Sequence, residues 1–308
     1  MTDLDAAPPP PKLPLGEAIS LSYAWFVQKF PDVLRISWLW LVITAVLVGS
    51  ASMLEWTRIS VALGDTTNGD VAAALMTAPA PIWTTMLIYV AGGFPLFAGV
   101  SIAVAWHRRI ILGERPGVSG ANVVTRELWR YAATAIALGM ITMLPFVLLM
   151  AVSYVSMEPP QDGGVANPPT HEGGVFIILV VILYFAAAAA MLRLSMLLPA
   201  CAIGDTALTV RAAWRRTRGN TWRLFWGLVV CTLPPSILIE IVTLVALPVA
   251  DFAPAATRSG LSLPVVMTLM SMIFFVAYLL IVPIGIGFLS QAYRHFFQGG
   301  LNVAGEPG

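Results

Sequence analysis

Six long apolar stretches constrain this chain more than any other feature. They run over roughly 36–54, 82–106, 132–155, 175–198, 224–247 and 263–290. Four contain no acidic or basic residue, and the other two carry one charge each, Arg193 and Glu240. A hydrocarbon core about 30 Å thick takes about 20 apolar residues per helix, so every stretch is long enough to cross. Unpaired backbone in hydrocarbon costs several kcal/mol per group, which leaves helices or closed barrels. Barrel strands would alternate polar and apolar residues over about ten positions, and these stretches do not.

The remainder of the composition agrees. Of 308 residues, 58% are hydrophobic and 11% charged, against about 25% charged in a soluble domain. Mean hydropathy is +0.83. Soluble globular, disordered and nucleic-acid-binding classes are excluded. The expected fold is an all-α polytopic membrane protein of six transmembrane helices. The acidic, proline-rich start MTDLDAAPPPPKLPLG lacks the basic and apolar regions of a signal peptide. The expected organisation is a disordered tail over 1–14, one membrane domain over 15–300 and a short tail over 301–308.

Charge is scarce but sorted. The N-terminal segment, connections 107–131 and 199–223, and the C-terminal segment share one side of the membrane. With Arg193 they hold 15 of the 17 Lys and Arg; Arg58 and Arg258 are on the other side. Seven acids (Glu55, Asp65, Asp70, Glu158, Asp162, Glu172, Asp251) fall in the opposite loops, 55–81, 156–174 and 248–262. The basic side is therefore expected to be cytoplasmic, with both termini, in a bacterial inner membrane.

Two segments preceding spans read as surface helices. In the first, Leu15, Ile19, Tyr23, Phe26 and Phe30 recur at helical spacing on one face. In the other, Asp205 is placed to cap the start, Arg211, Arg215 and Arg218 form a basic stripe, and Ala207, Val210 and Trp214 form an apolar one. Gly219-Asn220 is expected to end it. Such helices lie in the interface, apolar face in lipid and arginines at anionic headgroups. Residues 18–29 match 207–218 at an offset of 189, and 105–113 match 292–300 at an offset of 187. The spacing suggests three parallel repeats, 15–106, 107–198 and 199–300. Each would be an amphipathic cytoplasmic helix followed by a transmembrane hairpin, giving three interfacial helices in all.

Few residues invite chemistry. Glu240 is the one acid inside a span, a functional candidate by default, in the third of its helix furthest from the basic side. Arg193 can snorkel to headgroups. Arg108, Arg109, Arg193, Arg211, Arg215, Arg218 and Arg294 form the candidate headgroup-binding rim. His107 and His295 read as headgroup-level basic residues and His171 lies on the opposite face, so no metal site is expected. Cys201 and Cys231 read as small buried hydrophobes. Gly92-Gly93-Pro95, Pro145, Pro234-Pro235 and Pro283 either break helices beside a transport site or mark kinks whose freed carbonyls are satisfied by neighbours. Ala186–Ala190 and the small residues around Gly92 would allow close helix approach. GxxxxGK[ST], HExxH, CxxC and GxSxG are absent, so no catalytic residue and no cofactor is expected.

The stretches WHRRIILGERP (106–116), RLSMLLPACAIGDTALTVRAAWRRTRGNTWRLF (193–225) and AYRHF (292–296) resemble a group of uncharacterised six-helix inner-membrane proteins of proteobacteria. That group is distantly similar to the membrane domain fused to some glycerophosphodiester phosphodiesterases. The six spans leave no stretch for the soluble barrel of about 250 residues, so the resemblance implies a membrane module and no catalytic residue. The expected function is a non-catalytic module whose basic rim engages anionic lipid or a membrane partner, including another copy of itself. A small-solute transporter or channel built around Glu240 is the alternative, and a lipid-modifying enzyme the third reading. Nucleic acid is not expected among its partners.

Overall fold

The computed structural model describes residues 11–65, 81–115, 125–155, 171–251 and 263–299. The helices are α1 (Leu15–Gln28), α2 (Phe30–Asp65), α3 (Ile82–Ile111), α4 (Arg126–Val155), α5 (His171–Leu194), α6 (Leu197–Ile203), α7 (Val210–Arg216), α8 (Thr221–Asp251) and α9 (Leu263–Tyr293). A single π-helical turn, Arg294–Gln298, closes the last helix. No strand occurs among the described residues. Six segments are long and apolar enough to cross a membrane: Phe30–Ile59, Ile82–Ile111, Arg126–Ala151, Ile178–Ile203, Thr221–Ile241 and Thr268–Gln298. The protein has the all-α, six-span architecture of an integral membrane protein.

The helix α9 is the hub. It packs on α2, α3, α8 and α1, while α4 and α5 pair with each other, α4 reaching the rest through α6 and α3, and α5 through α8 and α7. Most of the core lies toward the end of the bundle that carries the arginines, here called the basic end. There Phe288, Ala292 and Ser290 of α9 are fully buried, as are Leu13, Leu224 and Met196 around them. Toward the opposite end α2 and α3 keep a small cluster of Val48, Ala51 and Ala91.

Glycines set the closest approaches. A Cβ on Gly227 of α8 would stand 1.9 Å from Cζ of Phe288, and one on Gly49 would stand 2.8 Å from Sδ of Met272. These are not the glycines expected from the sequence. Gly92 and Gly93 face open space with nothing within 4 Å, because the helical phase of α3 turns them outward. Of the alanine run, Ala187 is buried.

The prolines do not break helices. Pro95, Pro145 and Pro283 lie inside continuous α3, α4 and α9, and Pro234-Pro235 lies inside α8. Pro234 has no N–H to give the carbonyl four residues back, that of Val230. The Tyr23 hydroxyl donates to that carbonyl at 2.8 Å. Burial, with a smaller contribution from Cys231, pushes the Tyr23 phenol up, so it remains a protonated donor.

Several expected boundaries move. The loop expected from 55 is helical as far as Asp65, and Glu55 pairs with Arg58 one turn on, at 2.5 Å. The rest of that loop, 66–80, lies outside the described residues, as do 116–124, 156–170 and 252–262 with Arg258. Residues 1–10 and 301–308 of the expected tails, and Gly300 of the expected membrane domain, also lie outside them. The tail expected over 1–14 ends earlier: Leu13 is fully buried, and its amide donates to Oδ1 of Asn220 at 2.9 Å. The fourth expected span is two helices, α5 and α6, joined at Ser195-Met196 just before Pro199. Between α3 and α4 the described residues of the second basic connection form no separate surface helix.

A basic end stapled by arginine, with an exposed basic stripe

The surface helix α7 starts later than expected and with a different cap. Thr209, not Asp205, accepts from the amide of Ala212 at 3.2 Å. Asp205 instead accepts from the amide of Ala207 at 2.8 Å and from the Tyr293 hydroxyl at 2.7 Å. Gly204 in the left-handed region, at φ 78°, ends α6 first. The chain can therefore form helix again only after the turn that Asp205 holds.

Four of the seven rim arginines join elements of the fold. Arg108 grips Glu114 with Nε at 2.8 Å and Nη2 at 2.7 Å, and gives Nη1 to the Ala202 carbonyl at the end of α6, at 3.2 Å. Arg109 bonds Asp32 of α2 at 2.8 Å and lies 6.0 Å from the Trp25 ring centroid. Arg193 stacks over Trp214 at 3.8 Å, donates to the Trp214 carbonyl and reaches Thr217 Oγ1 at 3.4 Å, so it holds α7 against α5. Arg294 donates to the last carbonyl of α3, that of Ile111, at 3.3 Å.

Sequence reasoning missed two more such staples. Arg216 donates to the Phe296 carbonyl at 2.9 Å and Arg223 to the Leu13 carbonyl at 2.6 Å. The signal was available in principle. For Arg216 the last carbonyls of a helix have no internal partner and the helix dipole favours cations there, whereas Leu13 precedes α1 and its carbonyl lies outside any helix. Which arginine meets which helix end is set by packing.

The other three, Arg211, Arg215 and Arg218, are exposed and form no ion pair with a described residue. Val210 and Trp214 beside them are 58% and 41% exposed. The element thus shows an exposed basic stripe next to a partly exposed apolar one, with one face of Trp214 covered by Arg193.

The histidines separate. His107 is fully buried, not at headgroup level as its sequence position suggested, because α3 carries it into the packed basic end against α9. Its Nδ1 lies 2.7 Å from Ser290 Oγ. The Ser290 hydroxyl donates to the Ile286 carbonyl at 2.9 Å, so the proton of the His107–Ser290 bond belongs to Nδ1, and Nε2 carries the free lone pair. That Nε2 has no partner among the described residues. His295 is half-buried against Phe296. Both cysteines are buried and unpaired. Among the described residues no three His, Cys, Asp or Glu side chains come together.

Glu240 is exposed. Pro234, Pro235, Leu238 and Ile239 of α8 face a cavity of about 660 Å³ against α9 and α1. At 3.6 residues per turn Glu240 falls ~170° from the centre of that arc, on the far side of the helix.

Comparison with protein-family models, with curated proteins and with solved structures gives no match. The reading of function therefore rests on the residues and their geometry.

Proposed function

We propose that the protein is a non-catalytic integral membrane module of a bacterial inner membrane. Its basic end faces the cytoplasm, where the α7 stripe engages anionic lipid. One observation carries the reading: Arg211, Arg215 and Arg218 stay exposed at an end of the molecule where other arginines are spent on internal staples. Exposed arginines beside an exposed Trp214 are the two faces of an interfacial helix. Each basic residue near an anionic surface gains about 1 kcal/mol of attraction. The resemblance to membrane domains fused to phosphodiesterases points the same way, to a lipid-facing or regulatory module.

The test is lipid enrichment. Full-length protein is extracted in its lipid shell from vesicles of phosphatidylcholine and phosphatidylglycerol, and the retained lipid is quantified. Wild type is expected to retain phosphatidylglycerol above its bulk share, less so at 0.5 M salt. The triple variant Arg211→Gln, Arg215→Gln, Arg218→Gln should lose at least about fivefold of that preference. Equal retention by both proteins would end the proposal. Transport has less support, since Glu240 is exposed on the side of α8 away from the cavity. Solute flux abolished by Glu240→Gln would reverse that ranking.

A further inference from the structure

The cavity between α1, α8 and α9 is an apolar groove inside the membrane-spanning part of the fold. At one end Tyr23, Phe26 and Phe30 close it, and its walls are Pro235 and Leu238 of α8 and residues of α9 from Met270 to Ile284. That stretch of α9 is 15 residues long and rises ~21 Å. The three aromatic residues were expected to face lipid as the apolar stripe of α1. Instead, the Tyr23–Val230 bond draws the stripe onto α8, so that it becomes the floor of the groove.

We propose that this groove holds one acyl chain of an anionic phospholipid, with the phosphate at the α1–α2 junction. The inference rests on the lipid-engaging reading above and names a second, deeper contact for it. Volume suits a single chain. The groove holds about 660 Å³, within the roughly 300–1,000 Å³ of a cleft for one small ligand.

Charge argues for the head. Lys29 stands in the chain between Phe26 and Phe30, and Arg35 follows Phe30 by five residues, ~7.5 Å along α2. Lys29 is half-buried and Arg35 exposed, and neither pairs with an acid among the described residues. Asp32, which could neutralise them, is bonded to Arg109. The aromatic end of the groove therefore lies next in the chain to Lys29, a cation with no acid partner among the described residues, with Arg35 further along α2, while its interior is apolar. This order, cations then aromatic residues then hydrocarbon, is that of a phospholipid from head to tail.

Photolabelling tests the assignment. Full-length protein in phosphatidylcholine vesicles is given phosphatidylglycerol or phosphatidylcholine carrying a mid-chain diazirine, and labelled peptides are mapped. The groove predicts that the phosphatidylglycerol probe labels 234–239 and 270–284 several-fold above the exposed face of α4. Lys29→Gln with Arg35→Gln should reduce that excess roughly tenfold. Ala277→Trp, which fills the groove, should remove it and leave α4 labelling unchanged.

Groove labelling no higher than on α4 would overturn the proposal. Equal labelling by the two probes would overturn the assignment of the head. The triple α7 variant separates this site from the rim. It should leave groove labelling intact, so either reading can fail while the other stands.

Discussion

Arginine does two different jobs at residue scale, and the difference is one of surroundings. Arg193 sits where its charge is satisfied twice, by the face of Trp214 and by the carbonyl of the same residue. Cation–π contacts contribute about 0.5–2 kcal/mol and hydrogen bonds to charged groups about 1.5–3 kcal/mol. Arg193→Ala should therefore release α7 by about 1–3 kcal/mol. Limited tryptic cleavage of the detergent-solubilised protein after Arg211, Arg215 and Arg218 should quicken roughly tenfold or more. Unchanged cleavage rates would show that α7 is held by something else. That Arg193 lies near a helix end was legible in the sequence. That it serves α7 in place of the headgroups was not, because the two residues meet only when α5 and α7 pack.

Packing at element scale turns on α9 and on the glycine that receives its largest ring. Phe288 is fully buried and occupies the space a Cβ on Gly227 would need, 1.9 Å away. Overfilling a packed core costs typically 1–3 kcal/mol. Gly227→Ala should lower the thermal unfolding midpoint in detergent, followed by intrinsic tryptophan fluorescence. Adding Phe288→Leu should recover part of the loss, and strict additivity of the two changes would contradict the contact. The apolar runs in the sequence identify α9 as a span but not as the hub. A hub helix and a lipid-facing helix are equally apolar, since lipid and protein interior select the same residues.

The expected repeat belongs to the same scale. The left-handed glycines after α3 and the last helix, Gly113 (φ 69°) and Gly299 (φ 85°), stand 186 positions apart, one residue less than in the sequence match, and this spacing alone does not establish a repeat. The extra turn of α9 is π-helical, and α3 has no counterpart to it. At that offset Arg108 corresponds to Arg294, and each donates to a helix-end carbonyl of another element.

For the whole molecule the question is which end faces which compartment. The gathering of Leu13, Arg109, Arg193, Asp205 and Arg294 at one end of the bundle gives the sorted charges a common location. The positive-inside rule supports the proposal that this end is cytoplasmic. The two native cysteines are buried, which suits the protein to cysteine mapping. After both are replaced by Ser, single cysteines at Asp70 or Asp162 should react with an impermeant maleimide in intact cells. Cysteines at Thr2 or Glu306 should react only after lysis. The reverse pattern would invert the topology and remove the basis for the α7 proposal.

Taken alone, the sequence determined the class and the number of spans. Those properties are sums over many residues and survive any local error. Only the tertiary structure decided which arginines are exposed, which glycines are contacts and what covers the apolar face of α1. Each of these depends on the one neighbour that reaches a given side chain. Tyr23 shows the reason. Its apolar spacing is written in the chain, but the carbonyl it satisfies lies 207 positions away, and Pro234 leaves that carbonyl open only to whatever helix packs against it.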